Sequence, residues 1–134
     1  MTMSKMSQFE KIVYRILLRE KIPFVQEKQF KDCYNGLYRF DFFLPEIQTG
    51  IECNGRQHYE FIKGFHRTKS DFTKAQERDR RKIAYCLAKD IKLYIIPYWE
   101  SDNLYEIEDL FQDKFLAKTK FHNDIAFRLQ KSKN

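Results

Sequence analysis

The sequence offers no disulfide framework: Cys33, Cys53 and Cys86 are odd in number and include no C-x-x-C pair, which argues against stapled loops or a zinc knuckle and for reduced, buried thiols. It is poor in chain-breaking residues, with three prolines and four glycines in 134 residues, and has no low-complexity tract, internal repeat or interdomain linker. Apolar runs stay far below the roughly 20 residues of a membrane span. The opening MTMSKMSQFEK lacks the apolar core of a signal peptide. These absences predict a cytoplasmic protein without a membrane partner. The length suffices for one hydrophobic core, so a single domain over 1–134 is expected, with its core at about 7–116 and a basic segment at 117–134.

Aromatic and basic residues are abundant. The chain is 43% hydrophobic and 16% aromatic, enough to build a folded core. Its net charge of +6 is concentrated: Lys63 to Lys92 holds ten Lys/Arg against four acids, the whole excess. A concentrated basic segment points to a polyanionic partner.

SQFEKIVYRILLREK sets Phe9, Ile12, Val13, Ile16 and Leu17 at helical spacing, and Ser7 with Glu10 fits a capping box at its start. Pro23 is expected to end this helix, FVQEKQF to form a short strand and Asn35-Gly36 to turn the chain. From Leu37 to Leu44 the residues alternate, so that Tyr38, Phe40, Phe42 and Leu44 share one face and Leu37, Arg39, Asp41 and Phe43 the other. GIECN reads as the next strand. An antiparallel hairpin across LPEIQT would pair Asp41 with Glu52, Phe42 with Ile51 and Phe40 with Cys53, leaving one face apolar and the other acidic.

SDFTKAQERDRRKIAYCLAKD reads as a second helix, capped near Ser70 or Asp71 and burying Phe72, Ile83 and Cys86. IKLYIIPY follows as a buried strand. A third helix is predicted over Leu104 to Leu116, and a C-terminal helix docking through Phe121, Ile125 and Leu129. The order describes an α/β domain, a mixed central sheet flanked by helices.

Asp41 and Glu52 are the conspicuous cost in this plan. Two carboxylates about 4 Å apart repel by roughly 4 kcal/mol at an effective dielectric near 20, so something must neutralise them. Mg²⁺ does this with carboxylate oxygens while keeping positions for water and a substrate phosphate; pairing with Arg39 or Arg56, or exposure to solvent, would also do it. Downstream, NGRQHYE supplies His58 and Glu60, a group that titrates near neutral pH and another acid.

Glu10 ahead of the first strand, RFDFFLP with Asp41 and GIECNG with Glu52 together resemble the PD-(D/E)XK restriction-endonuclease-like superfamily, whose signature is a helix glutamate, a strand aspartate and a second-strand acid. IECNGRQHYE, with ERDRRKIAYC and IKLYIIPY behind it, is similar in particular to the very-short-patch-repair and EDxHD homing endonuclease branch, over roughly residues 7–98. The resemblance implies a restriction-endonuclease-like fold and a metal-dependent DNA endonuclease that uses Mg²⁺, with Mn²⁺ as a substitute. It leaves homodimerisation open. Glu10, Asp41, Glu52, His58 and Glu60 become candidate catalytic residues, and Asp41 and Glu52 the metal ligands. The usual lysine two residues after Glu52 is Asn54 here, so His58 becomes the residue to watch.

Lys63, Arg67 and Lys69, in the segment after the acids, with Arg78, Arg80, Arg81 and Lys82 on the second helix, are candidates for holding a DNA backbone. Lys82 is also placed to replace the missing lysine, although phosphate contact is the expected role. Asp79 shares the inward stripe and is expected to pair with a neighbouring arginine. His66 and His122 are expected at the surface. Two alternatives share these residues: a structure-selective nuclease of the Holliday junction resolvase kind, and a catalytically decayed domain that only binds nucleic acid.

Overall fold

Ser7 starts the fold as its spacing requires. In a computed structural model that describes residues 5–133, its hydroxyl accepts the Glu10 N–H and the Glu10 carboxylate accepts the Ser7 N–H, opening α1 (Gln8–Arg19). Residues 1–4 and 134, part of the expected single domain and leaderless N-terminus, lie outside the described residues. The helix stops four residues before Pro23: Lys21 turns into the left-handed region at φ 55°, and the Lys21 and Ile22 N–H groups bond back to Leu18 and Leu17. The proline therefore follows a stop already made by the chain's own C-terminal turn.

β1 (Val25–Gln29), β2 (Arg39–Leu44), β3 (Thr49–Asn54) and β4 (Lys92–Pro97) form one sheet in the order β1-β2-β3-β4. The first three are antiparallel neighbours, and β4 runs parallel to β3. That parallel step needs a crossover, which α2 (Lys69–Ala88) supplies. Its N-cap is Thr68, one turn earlier than Asp71, because the Thr68 hydroxyl accepts the Asp71 N–H and Asp71 returns a bond to Thr68. One core lies between the sheet and α1 (Val13, Ile16, Leu17, Phe42, Leu44, Ile51), the other beneath α2 (Tyr38, Phe40, Phe43, Ile83, Cys86, Leu93). This is a single α/β domain with a mixed sheet flanked by helices. No helix among the described residues is long and apolar enough to cross a membrane.

Strict alternation fails in β2. Phe40 and Phe42 belong to cores on opposite sides of the sheet, although a period of two would put them together. The phase changes at Asp41, where both neighbours release the strand. The β2–β3 ladder ends at Phe42 opposite Ile51, so Asp41 opposite Glu52 and Phe40 opposite Cys53 are not ladder pairs. On the other side the ladder passes from Gln26–Phe42 to Lys28–Phe40, skipping Glu27 at φ 50°.

The region expected to hold a third helix is mostly irregular. α3 is one turn (Ile107–Leu110), begun by Asp109 accepting the Tyr105 and Glu106 N–H groups. The chain is then drawn onto the sheet edge, where Leu116 bridges Tyr94 and Ala117 donates to the Leu93 carbonyl.

α4 (His122–Ser132) is present but rotated from the expected orientation. Phe121, Ile125 and Leu129 are 48%, 42% and 60% exposed. The docked face is Asn123, Asp124 and Phe127: Asp124 takes a two-pronged bond from Arg80, and Phe127 stacks on Tyr59 at 5.6 Å. Phe127→Ala should therefore cost about 2 kcal/mol or more, whereas Leu129→Ala should stay within about 0.5 kcal/mol. Urea denaturation of the two variants would check it, and the reverse ranking would restore the expected stripe.

Candidate active site

Where the β2–β3 ladder opens, each acid takes the place of a backbone partner. Glu52 Oε2 accepts the Asp41 N–H at 2.8 Å, and Asp41 Oδ2 accepts the Cys53 N–H at 2.8 Å. The two carboxylates thus satisfy backbone donors that would otherwise be orphaned in the sheet. Burial, and then the Glu52 carboxylate beside it, hold Asp41 well above the ordinary carboxylate range. Cys53, expected to be buried, is partly buried against the α1-side core, and burial with Asp41, Glu10 and Glu52 pushes its thiol up, away from the reactive thiolate.

The neutralising cation comes from α2. Lys82 Nζ bonds Glu52 Oε1, and both side chains are largely buried. Burial pulls the Lys82 pKa down, but Glu52, then Asp79 and Asp41, outweigh it and leave the amine above its usual value. Lys82 therefore stays charged and is held in the site. The phosphate-facing position expected for it is not where its amine lies.

Asp79, three residues earlier on α2, accepts from His58 Nδ1 at 2.8 Å instead of from an arginine. An ionised carboxylate only accepts, so in the neutral ring this contact puts the proton on Nδ1 and leaves Nε2 as the acceptor. His58 reaches Asp79 because the chain turns through Arg56–His58 directly after β3. At the old lysine position Asn54 is buried and stands against the Tyr59 hydroxyl, whose pKa burial pushes up.

His58, Asp79 and Lys82 border an open groove of about 750 Å³. Arg39, Arg67, Lys74 and Arg78 line it, Asp71 is the further acid, and Leu37 and Phe65, 70% and 69% exposed, stand on it. Arg67 and Arg78 are therefore placed as expected, and Arg39 and Lys74 are additions. Lys63 and Lys69 are exposed in the flanking segment but do not line the groove. Arg80 is committed to Asp124, and Arg81 donates to the Tyr38 hydroxyl at 3.4 Å.

The remaining acids do not join the pair. Glu10 works in the α1 capping box and lies on the Cys53 side, while Glu60 is paired with Arg56 at 2.9 Å and with the Tyr98 hydroxyl. His66 is buried, contrary to expectation: Nδ1 accepts the Ile62 N–H and the ring packs between Phe61 and Phe72. His122 is half-buried, and burial lowers its pKa. Asn123, which no sequence signal marked, is 91% buried against Asp79 and Lys82, and its Oδ1 has no partner.

Among the described residues no group of three or more His, Cys, Asp or Glu forms a metal cluster. Asp41 and Glu52 are the adjacent carboxylates that could hold a divalent cation such as Mg²⁺, which takes one or two carboxylates plus water and substrate phosphate. They do so only if Lys82 yields its hold on Glu52.

No protein-family profile matches the chain. It is similar to three viral proteins that are themselves described as uncharacterized. Protein 307L of Invertebrate iridescent virus 6 is 39% identical over 62 residues, 46% of this chain and 32% of that protein. Protein 094L of Frog virus 3 (isolate Goorha) is 41% identical over 63 residues, 46% of this chain and 41% of that protein. Protein 033L of Invertebrate iridescent virus 3 is 41% identical over 58 residues, 43% and 30% of the two chains. In each case the match spans less than half of the relative.

Because the folded Asp41 pKa lies above the unfolded value of 3.8, the folded state keeps a proton that the unfolded chain gives up. Stability should therefore fall as pH rises from about 3.8 through the folded pKa. Asp41→Asn keeps the acceptor for Cys53 and removes this titration. Thermal melts across pH should show the variant more stable than wild type at neutral pH, with the gap closing in acid; a pH-independent gap would reject the assignment.

Proposed function

We propose that the chain is a Mg²⁺-dependent endodeoxyribonuclease of the restriction-endonuclease-like class, acting in the cytoplasm. The carrying observation is that Lys82, bonded to Glu52, and Asp79, bonded to His58, border one basic groove, with Asp41 joined to Glu52 behind Lys82. The order of helix, three strands, crossover helix and strand places the acids on β2 and β3, in keeping with the resemblance drawn from the sequence.

In this reading Arg39, Arg67, Lys74 and Arg78 hold the DNA backbone. Asp41 and Glu52 would hold Mg²⁺, which supplies positive charge to the scissile phosphate when bound. His58, with Nδ1 fixed by Asp79, takes a proton from the attacking water at Nε2. Lys82 supplies from the helix the cation missing at Asn54 and neutralises Glu52; with Mg²⁺ held by the acids, its amine would be free to contact phosphate. Holding Mg²⁺ would require the ionised Asp41 carboxylate, so metal affinity would rise with pH.

Lys82 on Glu52 also favours a second reading, a decayed site that binds nucleic acid without cutting. Metal affinity separates the two, since a decayed site shows no Mg²⁺ or Mn²⁺ binding that depends on Asp41. A resolvase-like enzyme is the third reading, and it would cut a four-way junction faster than a linear duplex.

Two mutational outcomes test the enzyme. Asp41→Ala should abolish Mg²⁺-dependent nicking of a plasmid and a four-way junction while DNA affinity is unchanged, because Asp41 does not line the basic groove. Wild-type cutting by this variant would sink the proposal. His58→Ala should lower the single-turnover rate by about 10² to 10⁴ yet retain metal and DNA. A variant within a few fold of wild type removes His58 from proton transfer.

A further inference from the structure

We infer that the outer flank of α2 is a track for single-stranded DNA, with Tyr34 and Phe121 as its stacking platforms. A second open groove, of about 400 Å³, is lined there by both aromatics together with Arg80, Arg81 and Lys120, and Glu77 is its one acid. Tyr34 is 51% and Phe121 48% exposed, so each ring stays half bare in the folded protein. Cations lie over both rings: the Arg81 guanidinium is 5.8 Å from the Tyr34 centroid, and Arg80 and Lys120 are 5.7 and 5.2 Å from that of Phe121.

Aromatic faces beside positive charge are what an unpaired strand requires, since its bases offer π-faces and its phosphates offer charge. A duplex keeps its base faces stacked and would use only the cations. The platforms are also fixed in place. Gln29 Nε2 bonds the Gly36 carbonyl at 2.6 Å across the turn carrying Tyr34, and the Asp124 fork holds Arg80 beside Phe121.

The track meets the basic groove. The Tyr34 and Tyr38 rings lie 5.0 Å apart, the Tyr38 hydroxyl accepts from Arg81, and Tyr38 itself lines the groove containing His58 and Lys82. A strand leaving that groove over α2 therefore reaches Tyr34 and then Phe121. Resting on the nuclease reading, this names the substrate class as branched DNA with a single-stranded arm.

Fluorescence anisotropy with a labelled oligothymidylate of about 12 nucleotides tests the track, in parallel with a blunt linear duplex. Tyr34→Ala and Phe121→Ala should each weaken oligothymidylate binding about tenfold, Tyr34→Phe should stay near wild type, and duplex binding should move by less than about threefold. Both aromatics are exposed, and melting curves matching wild type show that the fold is kept. Unchanged oligothymidylate binding in both alanine variants overturns the proposal. Equal losses for duplex and oligothymidylate also overturn it, as does tighter binding of oligouridylate or of an acidic peptide at the same site. An inert Asp41 site would leave this binding pattern intact, so failure of the nuclease reading and failure of the track are distinguishable.

Discussion

The contact on which the rest depends is the bond from Lys82 to Glu52. Without it, two neighbouring carboxylates would share the interior of a sheet with no positive charge against them. Removing one partner of such a buried pair is far more damaging than replacing both, because it strands a charge away from water. The pair also ties α2 to β3, so the crossover helix is fixed to the sheet by charge as well as by Ile83 and Cys86. Asp79 and His58 then follow from geometry. One turn back from Lys82 along the same helix face, Asp79 meets the first turn after β3.

Opening the ladder at Asp41 is the second half of the same arrangement. A continuous sheet through Asp41 and Cys53 would use their N–H groups for backbone pairing with one neighbouring strand or the other, leaving no donors for the carboxylates. The structure exchanges those bonds for carboxylate acceptors and holds the Asp41 pKa above the ordinary carboxylate range. Such an arrangement stabilises the fold less than a plain apolar sheet would. Local cost of this kind is characteristic of sites kept for chemistry, and it runs from an observed geometry to a functional hypothesis.

Most of the framework was legible because it rests on local signals. Ser7 and Glu10 mark α1, the apolar runs mark four strands, and the basic helix between GIECN and IKLYIIPY requires a parallel crossover. What escaped depended on contacts distant in sequence. The phase change between Phe40 and Phe42 needs Glu27 and Glu52 to release Asp41 from both sides, and no window around β2 contains either. The stripe Phe121, Ile125 and Leu129 has faultless helical spacing, yet Arg80 and Tyr59 select the opposite face through Asp124 and Phe127. Lys82 and Asp79 were visible as candidates, but their partners were not. Among several basic residues on one helix, only the packed structure distinguishes the cation that faces Glu52 from those that face solvent.

The uneven use of the basic residues on α2 explains how one helix can serve a site and a surface together. Lys82 is spent on Glu52 and Arg80 on Asp124, whereas Lys74 and Arg78 remain on the groove and Arg81 sits among Tyr34 and Tyr38. The excess of positive charge in Lys63 to Lys92 is therefore not one uniform phosphate-binding field. Part of it offsets buried acids and orients the helix, and the remainder is displayed on two flanks that meet at Tyr38. Salt screens exposed charges far more than buried pairs. Raising ionic strength should accordingly weaken any nucleic-acid contact made by Arg67, Lys74, Arg78 and Arg81 while leaving the Lys82–Glu52 centre assembled, which separates the physics of binding from that of the site.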